Sequence, residues 1–146
     1  MTIYFDMDGT IADLYGVENW LDKLIAENPE PYAVAKPIGN MSLLARYLNL
    51  IQKKGYTIGI ISWLSKNSTP EYDEKVKAAK LRWLKKHLPS VSWDIIHITS
   101  YGLCKWETGN KQGILFDDED KNRAAWGNEY AYEPIDIIKV LKKLVA

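Results

Sequence analysis

Short apolar runs alternate along the chain with segments in which apolar residues recur at helical spacing. Four runs are rich in β-branched or aromatic residues, which is typical of buried strands: 3–5, 56–61, 93–98 and 113–116. Helical spacing is found in five other segments: 20–26, 42–54, 72–87, 120–126 and 134–145. This alternation predicts an α/β fold, a three-layer α/β/α sandwich around a central parallel sheet.

Capping and turn residues set the predicted ends of these elements. Asn19 and Ser42 are predicted N-caps, Gly55 closes the helix that Ser42 begins, and residues 130–132 form a brief edge strand. Residues 16–40 contain only one short helix, and 32–40 are expected to be irregular. We therefore predict one domain over residues 1–146, with a small cap insertion at about 16–40.

The helix at 72–87 carries a basic run that interrupts its apolar positions. The basic residues are Lys75, Lys77, Lys80, Arg82, Lys85 and Lys86, and the apolar ones are Val76, Ala79, Leu81, Trp83 and Leu84. Interleaving of this kind is typical of an amphipathic helix with a solvated basic face. A nucleic-acid surface is the less favoured alternative, because 19 basic residues balance 19 acidic ones.

Composition indicates a soluble protein of the cytoplasm. The single cysteine, Cys104, excludes an intrachain disulfide and suits a reducing compartment. Residues 2–5 are predicted to form a strand and not a targeting leader peptide. No apolar run approaches the roughly 18 to 20 residues that a membrane-spanning helix needs. No membrane partner is expected.

Two acidic residues follow the first predicted strand. Asp6 and Asp8 are one residue apart, so in an extended segment their side chains lie on the same side. Close carboxylates repel each other unless a cation or a proton neutralises one of them. An isolated Asp-x-Asp is most often a turn or a cap, but the full run 5–10 is far rarer.

Polar residues also follow two later strands. Ser62 comes after the run 56–61, and Asp117 and Asp118 come after 113–116. Ligands of parallel sheets bind beyond the carboxyl ends of the strands, so these residues are expected to converge with Asp6. Magnesium prefers carboxylate and carbonyl oxygens, although an acidic run such as 117–120 is also typical of a capped helix start.

In this order the residues resemble the motifs of the haloacid dehalogenase (HAD) superfamily of phosphotransferases. The run Asp6-Met7-Asp8-Gly9-Thr10 is similar to motif I, Ser62 to motif II, and Asp117-Asp118 to motif IV. The resemblance implies a HAD-like Rossmannoid fold and a Mg²⁺ site made by Asp6, Asp8, Asp117 and Asp118. Asp8 would contribute its main-chain carbonyl.

The resemblance also implies a reaction and a role for each residue. Asp6 would be the nucleophile that forms an aspartyl-phosphate, and Asp8 the acid and base. Ser62, a motif III lysine and the loop residues Gly9 and Thr10 would hold the phosphate. Lys105 is the preferred motif III lysine because it lies shortly upstream of Asp117, and Lys111 is the competing choice.

Within the superfamily the chain is similar to the 5'(3')-deoxyribonucleotidase-like branch. That similarity implies a small phosphorylated substrate such as a nucleoside monophosphate, whose base could stack on Trp63, Trp20 or Tyr32. The insertion is shorter than those nucleotidases usually carry. A small cap leaves either an open site or one closed by a partner subunit of the same chain.

Three alternatives remain at this stage. The first is the same chemistry on polynucleotide ends or another macromolecular phosphate, which the small cap favours. The second is a receiver-type phosphoacceptor domain, in which the order of the acidic sites differs from the order here. The third is a HAD-like phosphate-binding module without turnover, against which the intact Asp8 argues.

Overall fold

The computed structural model describes residues 1–146. Its strands are β1 (Thr2–Phe5), β2 (Ala12–Asp13), β3 (Lys36–Pro37), β4 (Thr57–Trp63), β5 (Ile95–Thr99), β6 (Ile114–Phe116) and β7 (Ala131–Tyr132). Five of them form a parallel sheet in the order β5-β4-β1-β6-β7. The helices are α1 (Trp20–Ile25), α2 (Glu30–Val34), α3 (Met41–Lys53), α4 (Pro70–His87), α5 (Lys105–Thr108), α6 (Asp120–Trp126) and α7 (Ile137–Val145). The α/β class and the parallel sheet predicted from the sequence are confirmed.

Alternating side chains of the central strand fill both faces of the sheet. Ile3 and Phe5 belong to the larger core, where they pack with residues of α3, α4 and α7. Tyr4 belongs to a smaller core on the opposite face, which includes Trp126 of α6 and packs against Trp106 of α5. The near-continuous apolar character of the strands therefore follows from helices on both sides.

Gly59 in β4 makes room for one of these side chains. It pairs with Tyr4 across the sheet, and a Cβ atom at Gly59 would lie 2.8 Å from the Tyr4 ring. Any larger residue would displace the ring from the sheet face.

Most predicted elements are present, with shifted ends. The third helix starts after Asn40, whose side chain accepts from the Leu43 amide, so Ser42 is not its N-cap. Asn19 precedes α1 but adopts a left-handed conformation and makes no capping hydrogen bond. The segment 134–145 opens with a 3₁₀ turn before α7 begins, and the loop 99–110 contains the short helix α5.

The insertion is more ordered than predicted. Residues 32–40 were expected to be irregular, yet α2 and β3 lie in or overlap them. β3 pairs with β2 in an antiparallel ribbon, which joins the two ends of the insertion at its base. The insertion is thus fixed beside the carboxyl edge of the main sheet.

The prediction that the basic run of α4 is uniformly solvated is wrong at one position. Lys80 is buried with 1% of its surface exposed, whereas Leu81, assigned to the apolar side, is 42% exposed. The buried stripe runs through Tyr72, Val76, Ala79 and Trp83, and Lys80 lies within it at helical spacing from Val76.

None of the helices is both long and apolar enough to cross a membrane.

Substituting Gly59→Ala is expected to lower the free energy of unfolding by about 1–3 kcal/mol, because the new methyl group clashes with Tyr4. Denaturant unfolding of Gly59→Ala, Tyr4→Ala and the double variant measures the coupling energy between the two positions. The cost of Gly59→Ala should shrink in the Tyr4→Ala background. An equal cost in both backgrounds would contradict this account of the glycine.

Candidate active site

Parallel pairing places two acidic residues side by side at the carboxyl edge of the sheet. β1 and β6 are neighbours in register, with Phe5 opposite Phe116, and each strand is followed directly by an aspartate. The Asp6 amide donates to the Phe116 carbonyl at 2.9 Å, which continues the pairing one residue beyond the strand. Asp6 and Asp117 therefore leave the sheet at the same point.

Asp118 joins them through a close approach of the loop after β1. Carboxylate oxygens of Asp6, Asp117 and Asp118 all lie within 4.8 Å of one another. Gly9 has a φ of +81°, and a Cβ atom there would lie 2.4 Å from an oxygen of Asp118, so only glycine fits. The hydroxyl of Thr10 lies 3.0 Å from Asp6 Oδ2 and 3.3 Å from Asp118 Oδ1, so it can donate to either carboxylate.

Lys105 connects the two most buried carboxylates. Its Nζ donates to Asp6 Oδ1 at 2.8 Å and to Asp117 Oδ2 at 2.7 Å. Burial alone would lower the pKa of Lys105, but the charges of Asp6 and Asp117 more than offset it and raise the pKa above its ordinary value. The side chain is therefore a fixed cation at neutral pH.

The second acid of the first loop is held by a different lysine. Asp8 Oδ2 accepts from Lys80 Nζ at 2.9 Å, and the same ammonium donates to Ser62 Oγ at 2.6 Å and to the Trp63 carbonyl at 2.7 Å. Lys80 thus holds one oxygen of the Asp8 carboxylate, which is not part of the group of Asp6, Asp117 and Asp118. A contribution of the Asp8 main-chain carbonyl to a metal site stays a prediction.

Burial raises the pKa of three of the four carboxyl groups. For Asp8, burial outweighs the lowering effect of Lys80, and the charge of Asp6 raises the pKa further. Burial and then the charge of Asp6 raise the pKa of Asp117, although Lys105 lowers it in part. The same two causes raise the pKa of Asp118 to about 7. The cluster holds more negative charge than its surroundings neutralise.

A count of charges gives the size of this excess. Four carboxylates, those of Asp6, Asp8, Asp117 and Asp118, are met by the ammonium groups of only two lysines, Lys80 and Lys105. With all four carboxyl groups ionised the shortfall is two charges, the charge of one divalent cation, and with a proton on Asp8 it is one. Carboxylate oxygens are also the ligands that a hard cation prefers, so the residues present fit a magnesium ion held by Asp6, Asp117 and Asp118.

A cavity of about 110 Å³ lies beside this cluster, and Asp118 is not among the residues that line it. Asp6, Asp8, Asp117 and Lys105 line its floor, and aromatic residues form much of its wall: Tyr15, Trp20, Tyr32, Trp63 and Tyr101. Because Trp20 and Tyr32 belong to the insertion, the chain's own cap covers part of the site. The expectation that a small cap leaves the site open, or closed by a partner subunit, stays a prediction.

Trp63 and Lys105 meet at this wall. The Lys105 ammonium lies 5.0 Å from the centre of the Trp63 ring, which is itself held by a hydrogen bond from its indole N–H to the Leu103 carbonyl at 2.8 Å. Lys111, the competing candidate, is exposed and lies 3.4 Å from Glu107. Of the two lysines, only Lys105 contacts the carboxylates of Asp6 and Asp117.

Three residues that are predicted to hold the phosphate do not line the cavity. Ser62 is fully buried and its hydroxyl contacts Lys80, because side chains alternate along β4 and Trp63 is the residue that lines the cavity. Gly9 and Thr10 pack against the carboxylates and do not line the cavity. Direct binding of a phosphate by these three residues stays a prediction.

Three residues of the site were not predicted from the sequence: Lys80, Asn122 and Tyr15. Asn122 donates to Asp117 Oδ2 at 3.1 Å and lines the cavity, as does Tyr15, whose pKa is raised by burial and by the charges of Asp8 and Asp118. A charged residue within the apolar stripe of α4 was an available signal for Lys80. No comparable signal marks Tyr15, which lies in a 3₁₀ turn directly after β2.

Comparison of the sequence with protein-family models gives no match, and comparison with curated proteins gives none either. The assignment of a function therefore depends on the geometry of the site.

The raised pKa of Asp118 predicts a pH-dependent effect of magnesium on stability. The folded chain binds this proton more tightly than the unfolded chain, whose aspartate pKa is about 3.9. In the metal-free protein the contribution of Asp118 to stability is therefore fully present below about pH 4 and is lost as the pH rises through about 7. A bound cation takes the place of the proton, so magnesium should raise Tm more at about pH 8 than at about pH 5.5.

Thermal unfolding with and without excess magnesium, at both pH values, measures this difference. Asp118→Asn should remove most of the magnesium-dependent increase in Tm, whereas Asp120→Asn, an exposed position in the following turn, should keep it. No increase at the higher pH, or equal increases at both, would contradict a cation site at these carboxylates.

Proposed function

We propose that this chain is a magnesium-dependent phosphomonoester hydrolase of the HAD type, working through an aspartyl-phosphate on Asp6. The single observation that carries the proposal is the pairing of Asp6 and Asp117 with the buried Lys105, beside a second acid, Asp8, that is held separately by Lys80. A nucleophile must be ionised and an acid must hold a proton, so two carboxyl groups of one loop can take these roles only if their environments differ.

Asp6 suits the role of nucleophile. Its oxygens accept hydrogen bonds from the Lys105 ammonium at 2.8 Å and from the Thr10 hydroxyl at 3.0 Å, and these contacts fix the carboxylate beside the metal-binding group. In the first step an Asp6 oxygen attacks phosphorus, the bond from phosphorus to the leaving oxygen breaks, and the acyl phosphate forms. A magnesium ion held by Asp6, Asp117 and Asp118 would neutralise charge on the transferred group.

Asp8 suits the role of acid and then of base. Its raised pKa favours a proton that can pass to the leaving oxygen. In the second step Asp8 takes a proton from water, the water oxygen attacks phosphorus, and the bond from phosphorus to Asp6 breaks. Phosphate leaves, and both aspartates return to their starting protonation states.

Donors for the phosphate oxygens are available beside Asp6. The main-chain amides of Met7 and Asp8 donate no hydrogen bond within the chain, whereas the Met7 carbonyl accepts from the amides of Thr10, Ile11 and Ala12. The tight turn thus leaves two N–H groups free next to the nucleophile. Together with Lys105 they could bind the charge that develops on the phosphoryl group.

The lining of the cavity bears on the substrate class. A volume of about 110 Å³ accommodates a phosphate and the atoms next to it, and Trp20, Leu24, Ser65 and Tyr101 line both this cavity and a larger groove of about 490 Å³. We propose that the organic part of the substrate lies in that groove, between α1 and the segment that follows β4. Aromatic walls favour a planar group, as in a nucleoside monophosphate.

Replacing the proposed nucleophile is the direct test of the reaction. Asp6→Asn should lower kcat by at least about a thousand-fold, because the amide cannot form the acyl phosphate. Phosphate release from a mixed panel of phosphomonoesters, with magnesium and with excess chelator, gives the measurement. The exposed Asp22→Asn serves as the matched control and should retain full activity.

The panel contains nucleoside monophosphates, sugar phosphates and a 5'- or 3'-phosphorylated oligonucleotide. Chelator-sensitive release that is fastest for the nucleoside monophosphates would support the nucleotidase-like substrate. Faster release from the oligonucleotide would indicate that the same reaction takes place on polynucleotide ends. Retained activity in Asp6→Asn, or phosphate release at the same rate with and without the chelator, would contradict the proposed mechanism.

A further inference from the structure

Lys80 is the most buried cation of the chain, and its three N–H donors meet three acceptors. The acceptors are Asp8 Oδ2 at 2.9 Å, Ser62 Oγ at 2.6 Å and the Trp63 carbonyl at 2.7 Å. The Tyr32 ring lies on another side, with its centre 5.0 Å from Nζ. The ammonium group is therefore completely satisfied by the protein.

This arrangement excludes direct contact of Lys80 with a ligand. Only 1% of the residue is exposed, and it does not line the cavity above the carboxylates. Burying an ammonium group costs free energy through lost hydration, whereas an apolar residue of similar length would fill the same space without that cost. The charge therefore needs an explanation beyond packing.

The contacts of Lys80 join three parts of the fold at one point. α4 supplies the lysine, the loop after β1 supplies Asp8, and the carboxyl end of β4 supplies Ser62 and Trp63. The Asp8 side chain keeps 17% of its surface exposed and lines the cavity, although its Oδ2 is bound to Lys80. Its second oxygen, Oδ1, makes no hydrogen bond within the chain and is free for a ligand.

We propose that Lys80 is a positioning residue for the acid step: it fixes Asp8 through Oδ2 so that Oδ1 is presented to the leaving oxygen of the substrate. Ser62 assists by holding the ammonium group from the side of the sheet. This inference rests on the proposed function, because it assigns a task within that reaction. It predicts that loss of Lys80 impairs proton delivery more than it impairs attack by Asp6.

Leaving groups that differ in their need for a proton separate these two effects. Nitrophenolate departs from p-nitrophenyl phosphate without protonation, whereas the alkoxide of glycerol phosphate needs a proton as the bond breaks. In Lys80→Met, kcat/KM for glycerol phosphate should fall by about a hundred-fold or more, and kcat/KM for p-nitrophenyl phosphate by about tenfold or less. A general loss of structure would lower both values alike.

Two further variants complete the experiment. Lys75→Met makes the same change at an exposed position of the same helix and should leave both values unaltered. Asp8→Asn should show the same dependence on the leaving group as Lys80→Met. The double variant Asp8→Asn with Lys80→Met should discriminate between the esters no more than Asp8→Asn alone, because both changes act on one step.

Folding is checked by circular dichroism and thermal unfolding before the kinetics. If Lys80→Met does not fold because Asp8 is left as an unpaired buried charge, Lys80→Arg replaces it. Arginine keeps the charge, but its planar donors cannot reproduce the three contacts of Nζ, so the same selective loss for the alkyl ester is expected.

Parallel losses for the two esters, or no loss for either, would overturn the role of Lys80 and leave the proposed hydrolase intact. A wild-type protein that releases phosphate from neither ester and from no member of the wider panel would instead contradict the proposed function, and this inference with it.

Discussion

Four aspartates meet at the carboxyl edge of the sheet, and their mutual repulsion must be offset for the chain to fold as it does. Lys105 neutralises one part of the group and Lys80 another, and both lysines are almost fully buried. Neither lysine could be removed without leaving a buried charge unpaired, which is costly in a medium of low dielectric. The remaining excess of negative charge supports the divalent cation that we propose for the site.

The sheet supplies the positions that this arrangement needs. Parallel register sets Asp6 beside Asp117, the left-handed conformation of Gly9 lets the loop after β1 approach Asp118, and the short helix α5 brings Lys105 beneath them. α4 reaches the same edge from the opposite face and delivers Lys80 to Asp8. The proposed proton transfer and nucleophilic attack therefore belong to two carboxylates that are separated by one residue and held by different lysines.

The sheet and the meeting of its acidic residues could be predicted from the sequence, because the carboxyl ends of strands in a parallel sheet lie at one edge. The apolar runs located β1, β4 and β6, and the acids that follow two of them do meet. The side that each residue presents was harder to predict. Ser62 and Trp63 differ by one step in a strand, which reverses the face, and Lys80 belongs to the buried stripe of α4 only because of how that helix is rotated against the sheet. Such choices are decided by tertiary packing, which the local pattern does not contain.

The covalent intermediate is the central claim and can be observed directly. Turnover of a phosphomonoester labelled with ³²P, stopped rapidly with acid and followed by peptide mapping, reveals any phosphorylated residue. The account predicts label on the peptide that contains Asp6, stable in acid and released by hydroxylamine as an acyl phosphate is, and absent from Asp6→Asn. Turnover without bound label, or label on any other residue, would contradict it.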